Sequence, residues 1–87
     1  RMKIGVVSGG SRSTASITLS VLGLTDLIEV LVCAGETPNG KPHPDPFLKA
    51  AHDLNVDPKK CLVFEDGDPG TNAAEAAGMK WIRVDKI

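Results

Sequence analysis

Cys61-Leu62-Val63-Phe64-Glu65-Asp66-Gly67-Asp68-Pro69-Gly70, continuing into Thr71-Asn72-Ala73-Ala74-Glu75-Ala76-Ala77-Gly78, sets an apolar run against two adjacent carboxylates, a Gly/Pro turn and an alanine-rich segment. The run predicts a buried strand over 61–64, and the alanines predict a helix over 71–77 stopped by Gly78. Glu65 and Asp66 then fall at the strand's carboxyl end, where open α/β sheets bind ligands. Two carboxylates there point to a hard cation such as Mg²⁺, which takes a few protein oxygens and leaves room for substrate phosphate. They equally fit an N-cap and a solvated turn.

The same signals recur upstream. Met2 to Val7 predicts a strand that stops at Ser8-Gly9-Gly10. Ser11 or Ser13 caps a helix to about Leu22, with Ala15, Leu19 and Leu22 at helical spacing and Gly23 as its stop. Glu29 to Cys33 predicts a second short strand, and 34–44 a loop rich in Gly and Pro. Asp45 as N-cap and Pro46 as first helical residue open a helix with Phe47, Leu48, Ala51 and Leu54 on one face. Asp57-Pro58-Lys59-Lys60 breaks it, and a last strand covers 80–84. The order β-α-β-loop-α-β-α-β predicts an α/β fold, a Rossmann-like three-layer parallel sheet. The strands are continuous apolar runs, which predicts burial on both faces.

Eighty-seven residues allow one small domain. A net charge of −1 without a basic patch argues against a nucleic-acid partner, and 3% aromatic residues leave no base-stacking platform. No apolar run approaches the roughly 20 residues that cross a bilayer, and Arg1-Met2-Lys3 leading straight into a strand sets the expectation of no signal peptide. Cys33 and Cys61 lie in apolar runs and read as buried free thiols, which suits a cytoplasmic location, although a disulfide stays open. Arg1 begins an element almost at once, which leads us to expect a piece of a longer protein.

Three places carry chemistry. Ser8, followed by Gly9 and Gly10, offers a hydroxyl and open backbone to a phosphate, or is a plain capped turn. Lys41 in Asn39-Gly40-Lys41-Pro42-His43-Pro44 is a cation held between Gly and Pro, or a solvated loop lysine. Glu65 and Asp66 are the third. A hydroxyl, a cation and metal-binding acids are what phosphoryl transfer needs, since its catalysis is mostly positioning and charge neutralisation.

In these residues the chain resembles the haloacid dehalogenase superfamily, in its β-phosphoglucomutase and sugar-phosphate phosphatase branch. The strand ending in Ser8 resembles the family's second motif. Gly40-Lys41-Pro42-His43-Pro44-Asp45-Pro46-Phe47 resembles the third, and Val63-Phe64-Glu65-Asp66 through Gly70 to Met79 the fourth. The resemblance implies Ser8 and Lys41 as catalytic residues, and Ser8, Gly9 and Lys41 as the phosphate site. It implies Asp66 as Mg²⁺ ligand with Glu65 assisting, and a small phosphorylated metabolite as partner. Asp68 is read as structural or indirect, His43 as a loop histidine rather than a proton shuttle, and Arg12 as exposed rather than touching phosphate.

The family's first motif, Asp-x-Asp-Gly-(Thr/Ser), which supplies the nucleophile, is absent, as is the cap domain. Asp26, Asp45, Asp57 and Asp85 do not replace it. The resemblance therefore implies an incomplete sheet, with the strands ending at Ser8 and Phe64 bordering a gap. It makes residues 1–87 the C-terminal part of a core domain that requires its N-terminal strand and cap. The chain alone is expected to be inactive; the whole is expected to be a phosphatase or a mutase. Two readings of another class stand beside it. Val6-Val7-Ser8-Gly9-Gly10-Ser11-Arg12 resembles a dinucleotide-binding turn, without the third glycine or the ribose-binding acid. A non-catalytic remnant of the fold is the other.

Overall fold

The structure is a computed structural model that describes residues 2–84; Asp85 lies outside the described residues. Seven elements follow the expected order: β1 (Gly5–Val7), α1 (Arg12–Val21), β2 (Val30–Val32), α2 (Asp45–Leu54), β3 (Leu62–Glu65), α3 (Asp68–Ala76) and β4 (Lys80–Arg83). Short 3₁₀ turns at Thr25–Leu27 and Pro58–Lys60 were not foreseen.

The strands form two parallel ribbons. β1 pairs with β2 from Gly5 opposite Val30 to Val7 opposite Val32. β3 pairs with β4 from Leu62 opposite Lys80 to Glu65 opposite Arg83. Among the described residues β1 and β3 are not paired, so the sheet is parted where the missing first motif implies an absent strand. The fold is thus a partial Rossmann-like core.

α2 joins the two halves. It lies against β1 and β2 and touches α3, while its Phe47 and Ala51 enter one cluster with Val63, Ala73, Ala74, Ala77 and Met79. Ala73 and Ala74 are fully buried, so α3 approaches β3 closely without displacing larger side chains. Gly78, at φ +78°, ends α3 in the left-handed conformation that a Cβ disfavours, and turns the chain so that Met79 enters the core.

Several boundaries and faces differ from the expectations. Strand pairing begins only at Gly5, and β2 is trimmed to three residues. Ser11, rather than Ser13, caps α1 by accepting the Thr14 N–H at 3.2 Å. Pro44 occupies the N-cap of α2, and Asp45 instead accepts the Asn39 N–H at 3.1 Å. Leu48 is 41% exposed, and Ala50 takes the buried position expected for it. Phe47, Ala50, Ala51 and Leu54 follow the helical period, whereas Leu48 lies about 100° round from Phe47. β3 runs on to Glu65, and α3 begins at Asp68 rather than Thr71.

Burial on both faces of the strands fails as well. Val63 is buried, but Leu62 and Phe64 on the opposite face of β3 are 51% and 63% exposed. α2 and α3 share Val63's side, so the other face of β3 is uncovered. Cys33 is buried and Cys61 half-buried, both as free thiols. Burial pushes the Cys61 thiol up from its ordinary value.

Candidate functional site

Because the strands within each ribbon run parallel, Ser8 and Cys33 follow one pair of carboxyl ends, and Asp66 and Val84 follow the other. Ser8 extends the first ladder, its N–H donating to the Val32 carbonyl at 2.8 Å. Its hydroxyl accepts the Gly10 N–H at 3.0 Å, which fixes the turn after β1. Gly9 is exposed, with nothing within 4 Å of where a Cβ would sit, so its backbone is open to an approaching anion.

Lys41 is the joint of the site. It stands in the loop before α2, and its peptide bond to Pro42 is cis. Its ammonium donates to the Val7 carbonyl at 3.3 Å and to Glu65 Oε2 at 2.5 Å. It therefore links the carboxyl ends of β1 and β3, which share no ladder. The two charged side chains are only 19% and 12% exposed. The ammonium also lies 5.5 Å from the centroid of the Phe47 ring, within cation–π range. His43 is exposed and gives its backbone N–H to the Gly40 carbonyl at 2.9 Å, which fits the loop-histidine reading.

On its other side Glu65 lies close against Gly70 in the first turn of α3. A Cβ on Gly70 would lie 2.0 Å from Glu65 Oε1, so the carboxylate occupies the space that a side chain there would take. The amino end of a helix favours a negative charge. Asp66 follows directly and is exposed. Glu65 is thus the partner of Lys41, and Asp66 is the carboxylate left open at the rim. Among the described residues no group of three or more His, Cys, Asp or Glu side chains is placed to hold a metal by itself. Cavities of about 330 Å³ beside Asn55 and about 220 Å³ beside Leu19 are lined by neither Ser8, Lys41 nor Asp66.

Two ion pairs flank this rim, and the sequence did not reveal either. Asp68, on the first turn of α3, pairs with Arg83 of β4. Arg12 is exposed, as expected, and forks onto Glu36, with Nε–Oε2 at 2.7 Å and Nη2–Oε1 at 2.8 Å. The guanidinium, then the Cys33 N–H, lower the Glu36 carboxyl from 4.5 to about 2. A carboxyl lowered on folding stabilises above its unfolded value, and that stability is lost as pH falls through the folded one. The difference in Tm between the native protein and Glu36→Gln is therefore expected to hold steady above about pH 5 and to vanish towards about pH 2. Thermal unfolding across that range checks it, and a difference that persists at the acid end contradicts it.

Comparison with known proteins adds relatives to this geometry. The family model described as haloacid dehalogenase-like hydrolase matches residues 1–84. The chain is 40% identical over 79 residues to validoxylamine A 7'-phosphate phosphatase of Streptomyces hygroscopicus subsp. limoneus, covering 91% of this chain and 37% of that protein. It is 39% identical over 84 residues to the fructose-1-phosphate phosphatase of Escherichia coli, covering 97% of this chain and 45% of that protein. The crystal structure of β-phosphoglucomutase from Clostridium difficile superposes with a TM-score of 0.76 at 37% identity, covering 80% of this chain and 31% of that one. The chain spans less than half the length of these relatives.

Proposed function

The chain belongs to the haloacid dehalogenase-like hydrolase family, and we propose that it is the C-terminal part of the core of a Mg²⁺-dependent phosphoryl-transfer enzyme, a phosphatase of a small sugar phosphate. One observation carries the reading. A single half-buried ammonium, Lys41, ties Val7 to Glu65 at the ends of β1 and β3, the two residues that directly precede Ser8 and Asp66. The phosphatases among the relatives support the substrate class.

In this reading Ser8 donates its hydroxyl hydrogen to a phosphoryl oxygen, and Gly9 offers its backbone N–H to another. Lys41 neutralises the phosphoryl charge; its side chain is only 19% exposed, so its field there is stronger than at an open surface. Asp66 fits a cation that takes one or two carboxylates and otherwise water and phosphate, with Glu65 behind it holding Lys41. Mg²⁺ bound there supplies charge stabilisation for the transferring group. The nucleophile and its strand come from the part of the enzyme that precedes these residues, and the parted sheet supports a place for that strand between β1 and β3.

The test is the full-length gene product with Mg²⁺ and a panel of sugar phosphates, read as released inorganic phosphate. Asp66→Asn is expected to raise the Mg²⁺ requirement at least roughly 10–100-fold, the effect of losing even an indirect metal partner. An unchanged Mg²⁺ titration removes Asp66 from the metal site, and absence of phosphate release from every ester removes the phosphatase reading. The likeness to β-phosphoglucomutase supports mutase chemistry as the second reading. An isomerised sugar phosphate formed without free phosphate selects it.

A further inference from the structure

Charge neutralisation, metal binding and the strand ladder leave the Arg12–Glu36 fork without a task. We propose that Arg12 and Glu36 are positioning residues, which stand in for a neighbouring strand on the outer edge of β2 and so fix the Ser8–Gly10 turn that receives phosphate. The inference rests on the phosphoryl-transfer reading above.

The alternation of a strand decides which backbone groups need partners. The Val32 carbonyl faces β1, where it accepts the Ser8 N–H. Its neighbours Leu31 and Cys33 therefore turn their polar groups to the other side, and β2 is the last strand of its ribbon on that side. Those groups are taken by the fork. Arg12 Nη2 donates to the Leu31 carbonyl at 2.5 Å, and the Cys33 N–H donates to Glu36 Oε1 at 3.0 Å. A charged pair thus does for these two groups what a strand backbone does elsewhere, and it blunts the edge against pairing with another chain.

The fork reaches the phosphate turn through Gly10. The Gly10 N–H binds the Ser8 hydroxyl, and its carbonyl accepts the Ala34 N–H at 3.0 Å. Gly10 is therefore held between Arg12, two residues on, and the Leu31–Ala34 end of β2, to which Arg12 and Glu36 are tied. Loosening the fork frees both sides of Gly10 at once, and the Ser8 hydroxyl loses its fixed direction. The bidentate geometry matters as well as the charge, because a lysine ammonium cannot bridge Glu36 and Leu31 as a planar fork does.

The experiment compares the native full-length enzyme with Arg12→Ala, Arg12→Lys and Glu36→Gln, reading KM and kcat with p-nitrophenyl phosphate, inhibition by inorganic phosphate, and Tm. Each variant is expected to raise KM and the phosphate inhibition constant about fivefold or more while kcat changes less than about twofold. Arg12→Lys is expected to fail to rescue them. Should Arg12→Ala not fold, Arg12→Lys and Glu36→Gln carry the comparison. A fall in Tm with KM and phosphate inhibition within twofold of the native values overturns positioning and leaves only an edge cap. A native enzyme that neither binds phosphate nor cleaves esters rejects the phosphoryl-transfer reading, and positioning with it.

Discussion

Replacing Lys41 with methionine in the full-length enzyme is expected to lower kcat/KM by roughly 10²–10³, the scale for removing one preorganised charge-stabilising group. The same change leaves Glu65, 12% exposed, without the ammonium 2.5 Å away. Breaking a buried pair from one side costs about 3 kcal/mol or more. Lost activity in the single variant therefore has two possible sources, and a second variant separates them. Lys41→Met combined with Glu65→Met removes both charges, and apolar replacement of a whole pair is often neutral for stability. The double variant is expected to recover most of the urea midpoint and none of the activity. If activity returns with the midpoint, Lys41 is a structural tie rather than a phosphate-binding residue.

Gly70→Ala is expected to reduce kcat/KM by about 10²-fold, the scale on which an ångström of misplacement acts. The affected atoms decide this. The new Cβ would meet Glu65 Oε1 at 2.0 Å, Cδ at 2.1 Å and Cγ at 2.6 Å. Those atoms belong to a flexible side chain, so the backbone need not move, and alanine gains about 1 kcal/mol over glycine in a helix. Glu65 has to leave, however, and its hydrogen bond to Lys41 is a charged one, which contributes about 1.5–3 kcal/mol. The loss exceeds the gain by about 1 kcal/mol, so the fold survives while the joint at Lys41 opens. A urea midpoint near the native one beside a large loss of kcat/KM checks the prediction; activity within twofold of native contradicts it.

The element order was legible because each strand is an apolar run and each helix carries its own stop, Gly23 after α1 and Gly78 after α3. The places of Ser8 and Glu65 at strand ends and of Lys41 in a Gly-Lys-Pro loop were legible because such breaks in the apolar pattern announce themselves. The start of α3 was not, because Asp68-Pro69-Gly70 reads as a turn. Proline needs no N–H partner in a first helical turn, and Gly70 serves Glu65 rather than a bend. Leu62 and Phe64 read as buried, since an apolar pattern does not say which face receives a helix. The pairings were hidden for a simpler reason. Lys41 and Glu65, like Arg12 and Glu36, are 24 residues apart, and no local period links residues at that separation.

The bridge at Lys41 has one more implication. Under the proposed function, the ammonium that would meet an incoming ester is also the rivet between the two ribbons. An anion that drew it away from Glu65 would slacken that seam, so capture of the ester and cohesion of the parted sheet would compete for the same nitrogen. Departure of the product would let the rivet close again.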